Sequence, residues 1–201
     1  TDLHAPLLKD LFVPDVIMGH EFSGEVVGVA DGVEGWRRGD RVTINPNGDV
    51  CGECDQCRAG KPNLCKPTVL GNAIGVHRDG GMAGLVSLPP AVLHRLPDSV
   101  SGFQGAFVEP LAVVVRLVGE SGLKLGDRAV VLGGGPIGLL TVQVLRRAGA
   151  YHVAVVEPSP SRREMAVRLG ADAVIDPTAD DPTELFGRDL PAPDHVFECA
   201  G

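Results

Sequence analysis

Cys51, Cys54, Cys57 and Cys65 fall in one short stretch, CGECDQCRAGKPNLC, and make up four of the chain's five cysteines. Gaps of two, two and seven residues let four thiolates converge on one tetrahedral centre with Zn–S bonds of ~2.3 Å. Nothing else in the stretch can build a core: it is Gly, Pro, Asn and charge, with Leu64 the single large aliphatic. A loop of that composition needs a staple. A tetrathiolate zinc is one, with an apparent binding free energy of ~10–16 kcal/mol that goes largely into folding the loop. The alternative is a pair of disulfides or reduced thiols, but cysteines three apart, twice in succession, make poor disulfide partners. Four thiolates leave no open position for a substrate, so this zinc is structural and any chemistry lies elsewhere.

At 201 residues and 44% hydrophobic, the chain can bury a substantial core. Its formal net charge of -8, with no Lys/Arg run, argues against nucleic acid or an anionic membrane as partner. No apolar run reaches the ~20 residues of a membrane-spanning helix. Cysteines arranged for metal rather than disulfides fit a reducing cytoplasm. The opening Thr-Asp-Leu-His and the closing VFECAG both look cut, which predicts a chain truncated at each end.

Up to about Glu109 the pattern is short apolar runs broken by Gly and Pro, such as FSGEVVGVA, DRVTI and GLVSL, which reads as a mostly antiparallel β domain. From about Leu111 the segments lengthen and alternate in type. AVVVRLVGES reads as a helix, 129–133 as a buried strand, PIGLLTVQVLRRAGA as a helix and 152–157 as a strand. SPSRREMAVRLGA follows as a helix with Ser159 at its N-cap, and 173–176 and 195–201 add two more strands. Such alternation predicts a parallel sheet with right-handed crossovers, and it places a domain boundary between 1–112 and 113–201.

The strand at 129–133 runs into Gly133-Gly134-Gly135-Pro136-Ile137-Gly138, a G-x-G-x-x-G pattern that opens an apolar helix. Gly133 permits the tight turn, Gly135 admits a pyrophosphate to the backbone, and Gly138 lets helix and strand pack closely. Glu157, at the end of the next strand, can accept from both ribose hydroxyls and repel a 2′-phosphate, which favours NAD over NADP. Arg162 and Arg163 temper that preference, since one of them could flank the adenosine.

Gly19-His20-Glu21 sits at the start of an apolar run, and alone one His beside one Glu says little. Taken together, GHEFSGEVVGVADGVEGWRRGDRV, the four-cysteine lobe, VEPLAVVV and VVLGGGPIGLL resemble the zinc-dependent medium-chain alcohol dehydrogenases, in the polyol, threonine and butanediol dehydrogenase branch. The resemblance covers the whole chain. It implies an α+β GroES-like, mostly antiparallel catalytic domain followed by an α/β Rossmann domain, both incomplete. It also implies a catalytic zinc held by His20 and by Glu109 of the EPL motif, with Glu21 able to bind or release the metal. The family's first zinc ligand, a Cys, would stand two residues before Thr1. Thr1 would then match the hydroxyl that passes on the substrate proton, and His4 the far end of that relay.

The activity so implied is hydride transfer from a secondary alcohol or polyol to NAD, with zinc as Lewis acid on the alkoxide and homodimers or homotetramers as the full-length assembly. Departures from the family pattern are Arg116, where relatives carry His, and Gly84, where Glu is common. His77 reads as a loop residue and Cys199 as a small apolar filler. Two other readings are a zinc-stapled nucleotide-binding fragment without turnover and a zinc-free quinone or enoyl reductase of the same superfamily. The second usually lacks both the cysteine lobe and the Gly-His-Glu run.

Overall fold

The computed structural model describes residues 15–200, and the chain divides into two compact units, Thr1–Glu109 and Pro110–Gly201. In the first unit, three short strands form a small antiparallel sheet of β1 (Ser23–Glu25), β2 (Arg41–Ile44) and β3 (Leu93–Arg95), in the order β1-β2-β3. Thr43 at its centre faces Ser23 on one side and His94 on the other. One side of the sheet is sealed by Ile44, Ile74 and Val92, all buried, with Phe22, Leu88 and Leu93 packed around them. The strands are shorter than the sequence suggests. Pairing continues one residue past β1, where Val26 donates to the Asp40 carbonyl and accepts from the Gly39 amide. Beyond it, Val27 and Val29 are exposed, and residues 84–88 lie outside any strand.

Among the described residues up to Glu120 there are four α-helices. The short α1 (Asp55–Arg58) lies within the cysteine lobe and carries Cys57, and α2 (Lys66–Gly71) follows Cys65. The next is α3 (Gly102–Ala106), opened by a capping box in which Ser101 and Gln104 satisfy each other's backbone amides. The long α4 (Val108–Glu120) carries Glu109 in its first turn and buries Val114 and Val118 in the second unit's core.

The second unit is a parallel sheet in the order β6-β5-β4-β7, built from β4 (Arg128–Leu132), β5 (His152–Val156), β6 (Ala173–Ile175) and β7 (His195–Glu198). Helix α5 (Pro136–Ala148) joins β4 to β5, α6 (Pro160–Arg168) joins β5 to β6, and the short α7 (Pro182–Leu185) lies before β7. The strands read as unbroken apolar runs because both faces are covered. On one face Val131 stands opposite Val155 and Phe197, and all three pack with Val142 and Leu145 of α5. On the other, Val130, Ala154, Val156 and Ile175 meet Leu185 and Phe186. This is the parallel, crossover-linked sheet that the sequence predicts.

Candidate functional site

The four cysteine sulfurs meet within one lobe, all within 4.8 Å of one another. The Cys51 sulfur lies 3.6 Å from that of Cys65 and 3.9 Å from that of Cys57. A regular tetrahedron with ~2.3 Å metal–sulfur bonds has sulfurs about 3.8 Å apart, so the lobe has the dimensions of a zinc site. None of the four is in a disulfide. Backbone amides already point at the sulfurs, Cys51 N–H to Cys65 Sγ and Cys54 N–H to Cys51 Sγ, each at 3.3 Å. Such bonds stabilise thiolates. The Cys54 thiol is held below its ordinary range by the Cys57 and Lys66 amides, whereas desolvation and the neighbouring Cys54 thiol push Cys57 up to about 12. Four thiols this close do not all ionise without a cation between them.

A second group of metal-type donors lies in the first unit. His20, Glu21 and Glu109 each bring one donor atom to within 4.8 Å of the other two, and His20 Nε2 stands 3.9 Å from Glu21 Oε1. Backbone crossings fix the imidazole's place. Ile17, Met18 and Gly19 accept from the amides of Gly80, Met82 and Gly81 in turn. Gly75 and Gly80 lie so close to the Gly19 carbonyl that a Cβ at either position would collide with it. Glu109 arrives from the other side. Gly105 of α3 packs against Leu96 and Ser23 with no room for a side chain, and the Ser23 hydroxyl donates to the Gly102 carbonyl, so α3, three residues before Glu109, is docked beside β1.

Electrostatics at this group favour a cation. Burial holds the Glu109 carboxyl above its usual range, His20 pulls it down and Glu21 pushes it up again. One imidazole and two carboxylates suit zinc, whose catalytic sites use three protein ligands and leave the next position open. Thr1 and His4, the expected proton relay, lie outside the described residues. His77 is a loop residue whose Nδ1 accepts from the Ala73 amide. Arg116 is exposed and pairs with Glu120 at 3.2 Å, and Gly84 faces open space.

In the second unit the glycine turn sits between β4 and α5. Gly133 has φ +97°, a conformation that side chains disfavour, and a Cβ there would also meet the backbone of Cys199 and Ala200. Gly138 lies directly on the Gly133 carbonyl. Gly135, the N-cap of α5, has nothing near the position of a Cβ, and no side chain caps the helix there. Free amides at the start of a thirteen-residue helix, beside open space, suit a phosphate. Pro136 and Ile137 open that helix, Pro136 at its first position and Ile137 packed on the core.

Glu157 does more than the sequence suggests. It is buried, and its Oε2 accepts the Gly134 amide at 2.7 Å while its Oε1 accepts the Ser159 amide at 2.8 Å. Ser159 is the N-cap of α6, but its hydroxyl makes no capping bond and lies 3.1 Å from that of Ser161. Arg162 is exposed, with one guanidinium nitrogen 3.9 Å from Glu157 Oε2. The half-buried Cys199 places its sulfur 3.8 Å from the Thr141 hydroxyl, and burial pushes its thiol up, as suits an inert filler.

Residues 1–98 match the sequence profile of the alcohol dehydrogenase GroES-like domain, and residues 136–201 that of the zinc-binding dehydrogenases. The chain is 41% identical to (R,R)-butanediol dehydrogenase of Bacillus subtilis, over 100% of its own length and 60% of that protein. It is 40% identical to L-threonine 3-dehydrogenase of Pyrococcus horikoshii, over 90% of its length and 52% of that protein. A structure described as a zinc-binding dehydrogenase from Sinorhizobium meliloti bound to NADP matches with TM-score 0.91 and 41% identity, covering 100% of this chain and 58% of that one. An Escherichia coli alcohol dehydrogenase complexed with NADH matches with TM-score 0.82 and 33% identity, covering 92% of this chain and 54% of the other. The chain thus spans somewhat more than half the length of each of these four proteins.

Proposed function

The chain belongs to the zinc-dependent medium-chain alcohol dehydrogenase family, and from that premise we propose that it serves a zinc-dependent oxidoreductase that transfers a hydride from a secondary alcohol or polyol to NAD. The gathering of one imidazole and two carboxylates within 4.8 Å, as a centre separate from the four thiolates, carries this reading.

His20, Glu21 and Glu109 would hold a catalytic zinc, which supplies a Lewis acid that lowers the pKa of a coordinated hydroxyl. Cys51, Cys54, Cys57 and Cys65 would hold a structural one. A cation beside Glu109 offsets both its burial and the repulsion from Glu21, so the carboxylate is ionised where it is needed. The turn Gly133–Gly138 takes the pyrophosphate on the free amides at the start of α5, and bound NAD supplies the hydride acceptor. Glu157 receives the adenosine ribose and disfavours a 2′-phosphate, and Arg162 flanks the adenosine. The family motif assigns Thr1 and His4 to carrying the substrate proton away.

Butanediol, sorbitol and threonine dehydrogenases among the relatives support a substrate among small secondary alcohols. No helix among the described residues is long and apolar enough to cross a membrane. A cytoplasmic homodimer or homotetramer, with neither nucleic acid nor membrane as partner, completes the proposal. A spectrophotometric assay of the full-length, zinc-loaded protein with NAD and a panel of 2,3-diols, sorbitol, threonine and simple secondary alcohols tests it. NAD reduction with at least one of these is expected. No reduction across the panel, or turnover undiminished in His20→Ala, would contradict it.

A further inference from the structure

Two neighbouring arginines on α6 have different surroundings. Arg162 is 59% exposed, whereas Arg163 is 18% exposed and bound on every side. One Arg163 nitrogen donates to the carbonyls of Glu157 and Pro158, at 2.8 and 2.7 Å, and the other lies 3.0 Å from Asp176 Oδ2. Asp176 follows β6, and its other oxygen is taken by the amide and hydroxyl of Thr178, at 3.0 and 2.6 Å. Those two bonds and the Arg163 charge hold the Asp176 carboxyl below its usual range, so the pair is ionic at neutral pH. The connections continue inward, from the Glu157 carbonyl to its own carboxylate and from there to the Gly134 amide. One chain of charge-assisted bonds therefore ties the carboxyl ends of β6, β5 and β4 together, ending in the glycine turn.

We propose that Arg163 and Asp176 are positioning residues for cofactor discrimination: they fix the 157–159 loop so that the Glu157 carboxylate is held at one distance from the glycine turn. The inference rests on the cofactor site proposed above, in which a ribose meets Glu157. A planar guanidinium grips two adjacent carbonyls through one nitrogen and a carboxylate through the other in a fixed fork that the compact ammonium of a lysine does not reproduce. Without that grip the loop keeps the Glu157 amide bond to the Ile175 carbonyl and the Ser159 and Gly134 amide bonds to the carboxylate, but the Glu157 and Pro158 carbonyls lose their charged anchor and the Glu157 side chain loses its fixed aim. A ribose diol reads that aim. A 2′-phosphate, which Glu157 repels, does not depend on it.

The test is equilibrium titration of the full-length protein with NAD and with NADP, for wild type, Arg163→Met, Glu157→Gln and the double variant. Arg163→Met is expected to weaken NAD about tenfold while leaving NADP within about twofold, so the preference for NAD falls by nearly the whole of that factor. The double variant should bind NAD no more weakly than Glu157→Gln alone, because Arg163 acts through Glu157. At saturating NAD the kcat of Arg163→Met should match wild type. Equal weakening of both nucleotides, an unchanged ratio, or multiplying effects in the double variant would overturn the proposal. Should Arg163→Met not fold, Asp176→Asn, which keeps the acceptor for Thr178, decides by the same ratio. Wild-type protein that binds neither nucleotide, or prefers NADP, overturns the proposed cofactor site itself. Wild-type preference for NAD that survives in the variant overturns only the positioning role.

Discussion

Gly138, in the first turn of α5, rests directly on the carbonyl of Gly133, in the turn that precedes the helix. Helix and strand end can be this close only because neither residue carries a side chain at the contact. Gly138→Ala must push α5 away from β4. It should cost about 1–3 kcal/mol of stability in urea unfolding and weaken NAD by at least about tenfold. Wild-type stability and affinity in that variant would show that the contact is not needed.

The cysteine lobe gives a separable prediction. Cys65 is fully buried and its sulfur lies against that of Cys51. Cys65→Ser replaces a thiolate ligand with a hydroxyl, and the loop has little apolar surface to hold it otherwise. Limited proteolysis should then cut between 51 and 65, with about one zinc per chain lost. NAD binding should persist, since the glycine turn belongs to the other compact unit. Unchanged zinc content in Cys65→Ser would rule out the tetrathiolate site.

Acid should weaken the second unit through Asp194. Arg128 grips both of its carboxylate oxygens at 2.9 Å and adds its own amide, and these bonds, led by the side-chain one, hold the carboxyl at about 2. In the unfolded chain the group titrates near ~3.9, so the folded state binds its proton less readily. The pair's contribution is therefore complete above about pH 4 and is lost as pH falls toward about 2. Thermal unfolding of wild type and Asp194→Asn should differ most at pH 5 and converge by about pH 2. A gap that stays constant across that range would contradict the assignment.

How much of this was legible in the sequence differed between the two units, for physical reasons. The segment from Arg128 to Val156 was readable because a buried parallel strand, a glycine turn and an apolar helix each have a local signature, and all three agree. In the first unit, 22–30 and 84–88 alternate as strands do, yet only Ser23–Glu25 forms a ladder. Alternation chooses which face a residue presents, but a strand also needs a neighbour to accept its backbone bonds. Past that ladder Val27 and Val29 lie outside any strand and are exposed.

The candidate sites divide in the same way. The cysteine lobe shows in spacing alone, because its ligands are close in sequence. His20 and Glu109 are almost ninety residues apart, and only the family motif joined them before the packing of Gly105 on β1 gave a physical reason. Arg163, Asp176 and the Glu157 bond to Gly134 were not foreseen in these roles. Their partners come from neighbouring strands, and no local pattern names them. The one faint signal was Ser159, two residues after Glu157, at the distance from which an amide can reach back to a carboxylate.

Zinc content, measured by atomic emission on the full-length protein and on His20→Ala, bears most directly on the existence of a second, reactive metal centre. Wild type should carry about two zinc ions per chain and His20→Ala about one, with alcohol oxidation lost in the variant and the cysteine lobe intact. About one zinc in both proteins, or full turnover without the imidazole, would contradict it.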